Sequence, residues 1–323
     1  MKIWTLYLVL PGRYGPLLSG ISTFVLLVLI QLWLVGEIFW VSTGLFFAAM
    51  LAYLPAVHAY ILSITHAAVA ELAPNLSVST EQQSATLERM ERPGWRLQVL
   101  CLVAGSSAAI AHIQYMGFIP LNPDGTLDFS TMMVKVSVAG TLLTWITMTT
   151  VISGLIQNNY LLSDLSLHLK QVDLFRKQPW QPLARVATAS SLALIGSNAL
   201  FPLLFIESDS PPAMKILPGM MLTLPTVIAM VLVPLRSARH LIAEQKNQRL
   251  NAIDEAISKL TNPQSITDMG TLNTLLTQRG HLQKVSSWPL NLGNLGRLLF
   301  YLIIPPLTWV GAALIERLVD GVL

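Results

Sequence analysis

Two histidines, His58 and His112, lie in stretches of sequence that are otherwise apolar, and a pair of histidines can bind the iron of a haem group. Counted from the same face of the membrane at 1.5 Å per residue, His58 lies at a depth of ~9 Å and His112 at ~22 Å. One haem needs both ligands at a similar depth, so the spacing favours two structural histidines. The remaining histidines lack metal-ligand spacing. We therefore predict neither a metal site nor a cofactor.

Three of the apolar stretches each carry a stripe of small, mildly polar side chains along one helical face. Such stripes commonly mediate packing between membrane helices, as in the Gly105-x-x-x-Ala109 motif of this chain. The same side chains could instead line a water-filled path. The candidate path-lining residues are Gln98, His112, Thr141, Thr144, Thr147 and Asn198. No Asp, Glu, Lys or Arg lies deep in these stretches, which argues against a proton pump.

The last apolar stretch contains Pro305 and Pro306 near its middle, and prolines remove backbone donors that a continuous helix needs. A kink is therefore predicted there, with Trp309 beside it. The carbonyl groups freed by the kink must meet another side chain, water or a ligand, because unsatisfied groups are costly in a membrane. Both a packing kink and a gate fit this pattern.

Catalytic motifs are missing from the sequence: it has no glycine-rich phosphate loop, no G-x-S-x-G and no H-E-x-x-H. The single cysteine, Cys101, excludes an internal disulfide and a cysteine-based metal site. The basic residues follow the predicted membrane surface, which argues against nucleic-acid binding. We predict that the protein is not an enzyme.

Composition places the chain in a lipid bilayer, because 53% of its 323 residues are hydrophobic and only 11% are charged. Soluble domains average about 25% charged residues. A membrane-spanning helix needs roughly 20 mostly apolar residues, and about seven stretches fit. They are residues 17–36, 39–64, 97–118, 132–156, 187–206, 215–235 and 296–315. The predicted fold is an all-α, polytopic transmembrane helical bundle, in which the first two spans could also merge at Gly36-Glu37.

The basic residues also predict the orientation, since they accumulate in cytoplasmic segments. With the N-terminus inside, all of the 20 lysines and arginines except Lys135, Lys215 and Arg317 lie on the cytoplasmic side or at its boundary. We therefore predict a multi-pass protein of the bacterial inner membrane with a cytoplasmic N-terminus. Trp4 and Tyr7 would lie at the level of the lipid headgroups.

The chain divides into six predicted segments. They are residues 1–16, an interfacial segment; 17–156, spans one to four with a cytoplasmic loop at 65–96; 157–186, an amphipathic cytoplasmic segment; 187–235, spans five and six; 236–289, a cytoplasmic antiparallel helical hairpin; and 290–323, the last span and C-terminus. The apolar face of 157–186 would lie on the membrane surface or against a partner helix.

The predicted hairpin at 236–289 carries apolar residues with the 3-4-3 spacing of a coiled-coil seam. The seam residues are Leu250, Ile253, Ile257 and Leu260. A seam on a projecting hairpin has little to bury within one chain. It therefore predicts self-association or docking to another membrane protein.

The stretch SSWPLNLGNLGRLLFYLIIPPLTWVGAALIERLVDGVL resembles the C-terminal end of a group of bacterial polytopic integral membrane proteins of uncharacterised function. The elements that carry the resemblance are Trp288-Pro289, Arg297, Tyr301-Leu302, Pro305, Trp309, Gly311-Ala312 and Glu316-Arg317. VDLFRKQPWQPLARVA and LVPLRSARHLIAEQKNQRLNAI also resemble that group, so the resemblance covers roughly residues 160–323. It implies an architecture and no chemistry.

These observations predict a non-catalytic integral membrane subunit or scaffold. It would assemble through its helices and hairpin, as a homo-oligomer or as an accessory part of a larger membrane complex. The alternative is an oligomeric channel or passive transporter with a hydroxyl-lined path that the hairpin gates. The lipid bilayer is the other expected partner in both cases.

Overall fold

The computed structural model describes residues 2–35, 41–117, 119–122, 124–169, 181–205, 212–260 and 266–284. In these ranges the chain is all-helical, and its only β pairing is two isolated bridges. The α-helices are α1 (Gly15–Val35), α2 (Val41–Leu72), α3 (Thr80–Glu91), α4 (Trp95–Met116), α5 (Met132–Ser166), α6 (Gln181–Asn198), α7 (Pro212–Lys259) and α8 (Ile266–Lys284). The predicted all-α class is confirmed for this part of the chain.

Several of these helices are long and apolar enough to cross a membrane, which fits a membrane protein. The qualifying stretches in the described ranges are Gly15–Val35, Thr43–Asn75, Thr80–Met116 and Met132–Ser166. Each of them overlaps one of the first four predicted spans, although Thr80–Met116 also includes α3 of the predicted loop 65–96. Helix α6 covers the start of the fifth predicted span and α7 covers the sixth. That these two cross the membrane stays a prediction, and the seventh span lies outside the described residues.

The N-terminal segment is held by the helical bundle through a short 3₁₀ helix, Trp4–Leu8. Ile3 is buried at 1% exposure, and its backbone N–H donates to the Glu91 carbonyl at 3.1 Å. Lys2 forms an ion pair with the Glu91 carboxylate at 3.0 Å. Tyr7 remains exposed. Its position at the membrane interface stays a prediction, and in the structure the segment packs against the end of α3.

Helix α3 lies within the predicted cytoplasmic loop 65–96 and starts at a capping box. The Gln82 backbone N–H donates to the Ser79 hydroxyl at 3.2 Å, and the Ser79 backbone N–H donates to the Gln82 side chain at 3.2 Å. These bonds satisfy two donors that the first turn of a helix otherwise leaves unpaired. The capping box therefore marks the start of this helix.

Replacing Ser79 with alanine is expected to lower the free energy of unfolding by about 1 kcal/mol, because one capping bond is lost. Thermal unfolding in a mild detergent would measure the change. Ser84→Ala is the control, since the Ser84 hydroxyl only returns to the Glu81 carbonyl of its own helix. Equal midpoints for both variants would contradict the capping role.

Two clusters of buried apolar side chains hold the helices together. The central cluster joins α2, α5 and α6 and includes Phe46, Phe47, Met50, Leu54, Trp145, Met148, Val151, Leu155 and Leu194. The terminal cluster gathers at the other end of α2, where side chains of α3, α5, α6, α7 and α8 meet it. Its members include Leu62, Val69, Leu72, Leu76, Met90, Leu161, Leu162, Leu165, Leu169, Leu183, Ile242 and Leu282.

The terminal cluster changes the interpretation of the predicted segment 157–186. Helix α5 continues to Ser166, so the first third of that segment is part of a long helix. Leu161, Leu165 and Leu169 supply its apolar face and are buried in the terminal cluster. Within the described residues this face therefore contacts the protein's own helices, and the rest of the segment, 170–180, lies outside them.

Helices α7 and α8 are antiparallel where they contact each other. Arg279 pairs with Asp254 at 2.6 Å, and the Lys246 ammonium donates to the Gln283 carbonyl at 2.9 Å. Helix α7 is continuous from the sixth predicted span into the first helix of the predicted hairpin. That the pair projects into the cytoplasm stays a prediction.

The predicted seam has a partner surface within the chain. Leu250 and Ile253 pack against the terminal cluster, to which α8 contributes Leu282. Ile257 and Leu260 are half-buried. The expectation that the seam has little to bury in one chain therefore fails for its first half, because Leu250 and Ile253 contact apolar side chains of the terminal cluster.

Candidate functional site

The three candidate path residues of α5 are enclosed by the bundle. Thr141, Thr144 and Thr147 are exposed by 2%, 5% and 1%. The Thr141 hydroxyl donates to the Ser137 carbonyl at 2.8 Å, and the Thr147 hydroxyl donates to the Leu143 carbonyl at 2.7 Å. Such bonds to the preceding turn satisfy a hydroxyl inside its own helix. The Thr144 hydroxyl has no hydrogen-bond partner among the described residues.

The candidates on α4 lie at opposite ends of that helix. The Gln98 side chain donates to the Pro93 carbonyl at 3.3 Å, near the helix start. His112 accepts a bond from the Trp145 indole at 2.8 Å. Fourteen residues of helix separate them by ~21 Å. Asn198 is buried at the end of α6. The described structure thus joins His112 to Trp145 of α5.

Close contacts at glycines indicate what the small-residue stripes do. A Cβ atom on Gly105 would lie 2.7 Å from the Ile146 Cα atom and 2.7 Å from the Thr149 hydroxyl. Gly140 faces the Phe47 ring in the same way, and Gly196 faces the Tyr53 hydroxyl. Each glycine therefore allows a neighbouring element to approach more closely than any side chain would permit.

A second group of polar residues, which the sequence did not single out as a group, surrounds His58. The Thr5 hydroxyl lies 3.2 Å from His58 Nδ1, and the Trp4 indole donates to the Thr150 hydroxyl at 3.3 Å. His58 is fully buried, and a Cβ atom on Gly154 would lie 2.7 Å from its Nε2. His58 Nε2 has no partner among the described residues. The N-terminal segment thus closes one side of the imidazole.

Two further buried polar residues, Asn158 and Asn159, lie near the end of α5. Asn158 lies one turn beyond Gly154, is 0% exposed, and neither of its amide atoms has a partner in the described ranges. The Asn159 amide donates to the Leu155 carbonyl at 2.9 Å and to the Ser190 hydroxyl of α6 at 3.2 Å. We call His58, Asn158 and Asn159 the inner polar group.

The inner polar group offers neutral donors and acceptors, which suit water or an uncharged polar ligand. Within the described residues no group of three His, Cys, Asp or Glu side chains could hold a metal ion. The sequence gives part of the signal for this group, because Asn158 and Asn159 interrupt an apolar helical pattern that continues to Ser166. Nothing in the sequence indicates that the N-terminal segment contacts His58.

The remaining candidates are divided between described and undescribed regions. Pro305, Pro306 and Trp309 lie outside the described residues, so the predicted kink and gate remain predictions. The seam residues lie on α7, where Leu250 and Ile253 meet the terminal cluster.

A scan against protein-family models, a search of curated proteins and a search of solved structures each found no match to this chain. The resemblance over residues 160–323 is neither supported nor contradicted by them.

Proposed function

We propose that this chain is a non-catalytic subunit or scaffold of the bacterial inner membrane, with a cytoplasmic N-terminus. The observation that carries this proposal is the use of the span residues for packing. Thr141 and Thr147 bond within their own helix, while Gly105 and Gly140 admit backbone or ring atoms of neighbouring elements. Side chains used in this way hold helices together.

Assembly would use the cytoplasmic hairpin that we propose from α7 and α8. On α8, Met269 is 62% exposed and Leu276 is 50% exposed. They are seven residues apart, so they lie on one helical face. Ile257 and Leu260 near the end of α7 are half-buried and add apolar surface to the proposed hairpin. The partner that would bind this apolar face is a second copy of the chain or another membrane protein with a complementary apolar helix.

Replacing Met269 and Leu276 together with glutamate is expected to reduce the assembled mass by at least one subunit. A charge placed in an apolar interface must be desolvated without a partner, which opposes association. Native mass spectrometry of the gently solubilised full-length protein, with co-purifying partners identified, would measure the change.

Asn273→Glu combined with Gln283→Glu is the matched control, because both residues are exposed and polar on the same helix. This control should retain the assembled mass. A wild-type protein that is monomeric and free of stoichiometric partners would contradict the scaffold function. An unchanged mass in the Met269 and Leu276 variant would instead exclude α8 as the assembly surface.

A channel or passive transporter is the second candidate, and the inner polar group is the observation that favours it. His58, Asn158 and Asn159 place unpaired polar atoms inside the bundle, where hydration would satisfy them. In this alternative the hairpin or the kink at Pro305 and Pro306 would act as the gate. Conductance or solute flux through purified protein in liposomes would support it.

A further inference from the structure

A cavity of about 570 Å³ lies beside the N-terminal segment, outside the inner polar group. Its walls come from the N-terminal residues, from α2 and from the end of α3. The ionisable residues in its lining are Lys2, Arg13, Tyr60, His66 and Glu91. Most of the remaining lining is apolar, including Leu6, Leu10 and Leu62. The cavity therefore combines a basic region with an apolar wall.

The charges in the cavity do not cancel. The Glu91 carboxylate lies 3.0 Å from the Lys2 ammonium and 3.5 Å from His66 Nε2, so it offsets the charge of Lys2. Arg13 has no carboxylate within ion-pair distance among the described residues. Its guanidinium carbon lies 5.8 Å from the centre of the Tyr14 ring. The uncompensated positive charge of Arg13 favours an anionic ligand.

The loop that carries Arg13 has a tight turn with a backbone contact to α1. Gly12 adopts a φ of +111°, which residues with a side chain rarely adopt. The Leu10 carbonyl occupies the space where a side chain on Gly15 would begin. The Leu10 backbone N–H also donates to the Ser19 hydroxyl at 2.8 Å. These constraints hold Arg13 at the start of α1, where the helix dipole also favours negative charge.

The cavity borders a surface suited to acyl chains. Helix α1 is apolar and long enough to span a membrane, yet only 6% of its most apolar window is buried within the protein. Leu17 and Leu18, just beyond the loop, are 62% and 56% exposed. Tyr60 of α2 lines the cavity and is 53% exposed. Arg13 therefore precedes the lipid-facing stretch, at the level expected for headgroup phosphates.

We infer that this cavity binds the phosphate group of an anionic phospholipid. Arg13 is the main cationic contact, Lys2 and His66 supply further donors, and the acyl chains lie along α1 and Tyr60. A free phosphate ion would use the basic end but would gain nothing from the apolar wall. The inference depends on the membrane placement of α1 and does not depend on the scaffold function.

Titration of the full-length protein with phosphatidylglycerol in a neutral detergent, followed by native mass spectrometry, would test the inference. Arg13→Gln is expected to weaken the tightest phosphatidylglycerol site about tenfold, the usual scale for one charge-assisted hydrogen bond. Glu91→Gln is expected to tighten it, because the substitution removes the carboxylate that offsets Lys2.

Arg96→Gln is the matched control. Arg96 is also exposed and lies over a neighbouring aromatic ring, 5.9 Å from the Trp95 centroid, but it does not line the cavity. This variant should bind phosphatidylglycerol as the wild type does. Ala59→Phe, which fills the cavity without changing its charge, should weaken binding and tests the site separately from Arg13.

Three results would overturn the inference. The first is unchanged binding in both Arg13→Gln and Ala59→Phe, with the variants shown to be folded. The second is equal affinity for phosphatidylcholine, which carries no net charge. The third is displacement of the lipid by millimolar inorganic phosphate, which would identify a site for a free anion.

Discussion

Replacement of Gly105 by leucine is expected to separate α4 from α5 and to cost about 3 kcal/mol or more of folding stability. Overpacking a close contact usually costs about 1–3 kcal/mol, and the opposing atoms here include backbone, which cannot move aside by changing rotamer. A Cβ atom at this position would already lie 2.7 Å from the Ile146 Cα atom. The thermal unfolding midpoint in mild detergent would fall accordingly.

The reactivity of the Cys101 thiol would report the separation of α4 from α5 independently of stability. It is the only cysteine of the sequence and is 5% exposed, and its carbonyl accepts a bond from Thr149 of α5 at 3.1 Å. We expect a membrane-permeable maleimide to react with Cys101 slowly in the wild type and faster in Gly105→Leu. No label has to be engineered into the protein for this experiment.

Ser107→Leu is the control for Gly105→Leu. Ser107 is exposed on the same helix, two residues away. A leucine there faces lipid and should leave both the unfolding midpoint and the Cys101 reaction rate unchanged. Unchanged values in Gly105→Leu as well would show that the stripe does not pack α4 against α5.

The helices and their apolar character were predictable from the sequence because composition and span length constrain them directly. The stretches 97–118 and 132–156 correspond closely to α4 and α5, although α5 extends ten residues beyond its predicted span. The extension is hard to predict because Asn158 and Asn159 are typical of the start of a polar loop. Burial against neighbouring helices, which a single sequence does not show, keeps them in the helix.

Pairing between distant segments was not predictable in the same way. The small-residue stripes predicted that Gly105 contacts a neighbouring helix. That the contact is with Ile146 depends on how α4 and α5 pack against each other, which the sequence does not show. The contacts of Thr5 with His58 and of Lys2 with Glu91 join residues far apart in the chain. Neither contact has a periodic pattern or motif, so the sequence of the N-terminal segment indicates only its affinity for a membrane surface.

The scaffold and the channel would use the buried amides of Asn158 and Asn159 differently. Variants of these two adjacent asparagines can therefore distinguish the two functions. In a scaffold, the interior of the bundle needs only to be filled. In a channel or passive transporter, polar atoms must line the route of the permeating species. Asn158 has no side-chain partner in the described ranges, whereas Asn159 bonds to both Leu155 and Ser190.

Asn158→Leu is expected to leave stability unchanged or raise it, because an unpaired buried amide costs about 1–3 kcal/mol and an apolar side chain of similar size does not. Asn159→Leu is expected to lower stability by about 1–3 kcal/mol, since it leaves the Ser190 hydroxyl without its bond. Thermal unfolding of the two variants in the same detergent would measure these opposite effects.

Flux measurements on the same two variants then distinguish the functions. The scaffold proposal expects no conductance or solute flux from the wild type or from Asn158→Leu in liposomes. Flux through the wild type that Asn158→Leu abolishes, with the fold intact, would establish the channel alternative. Destabilisation of Asn158→Leu to the level of Asn159→Leu would show that Asn158 is bonded through water, because a hydrated amide loses real partners when it is replaced.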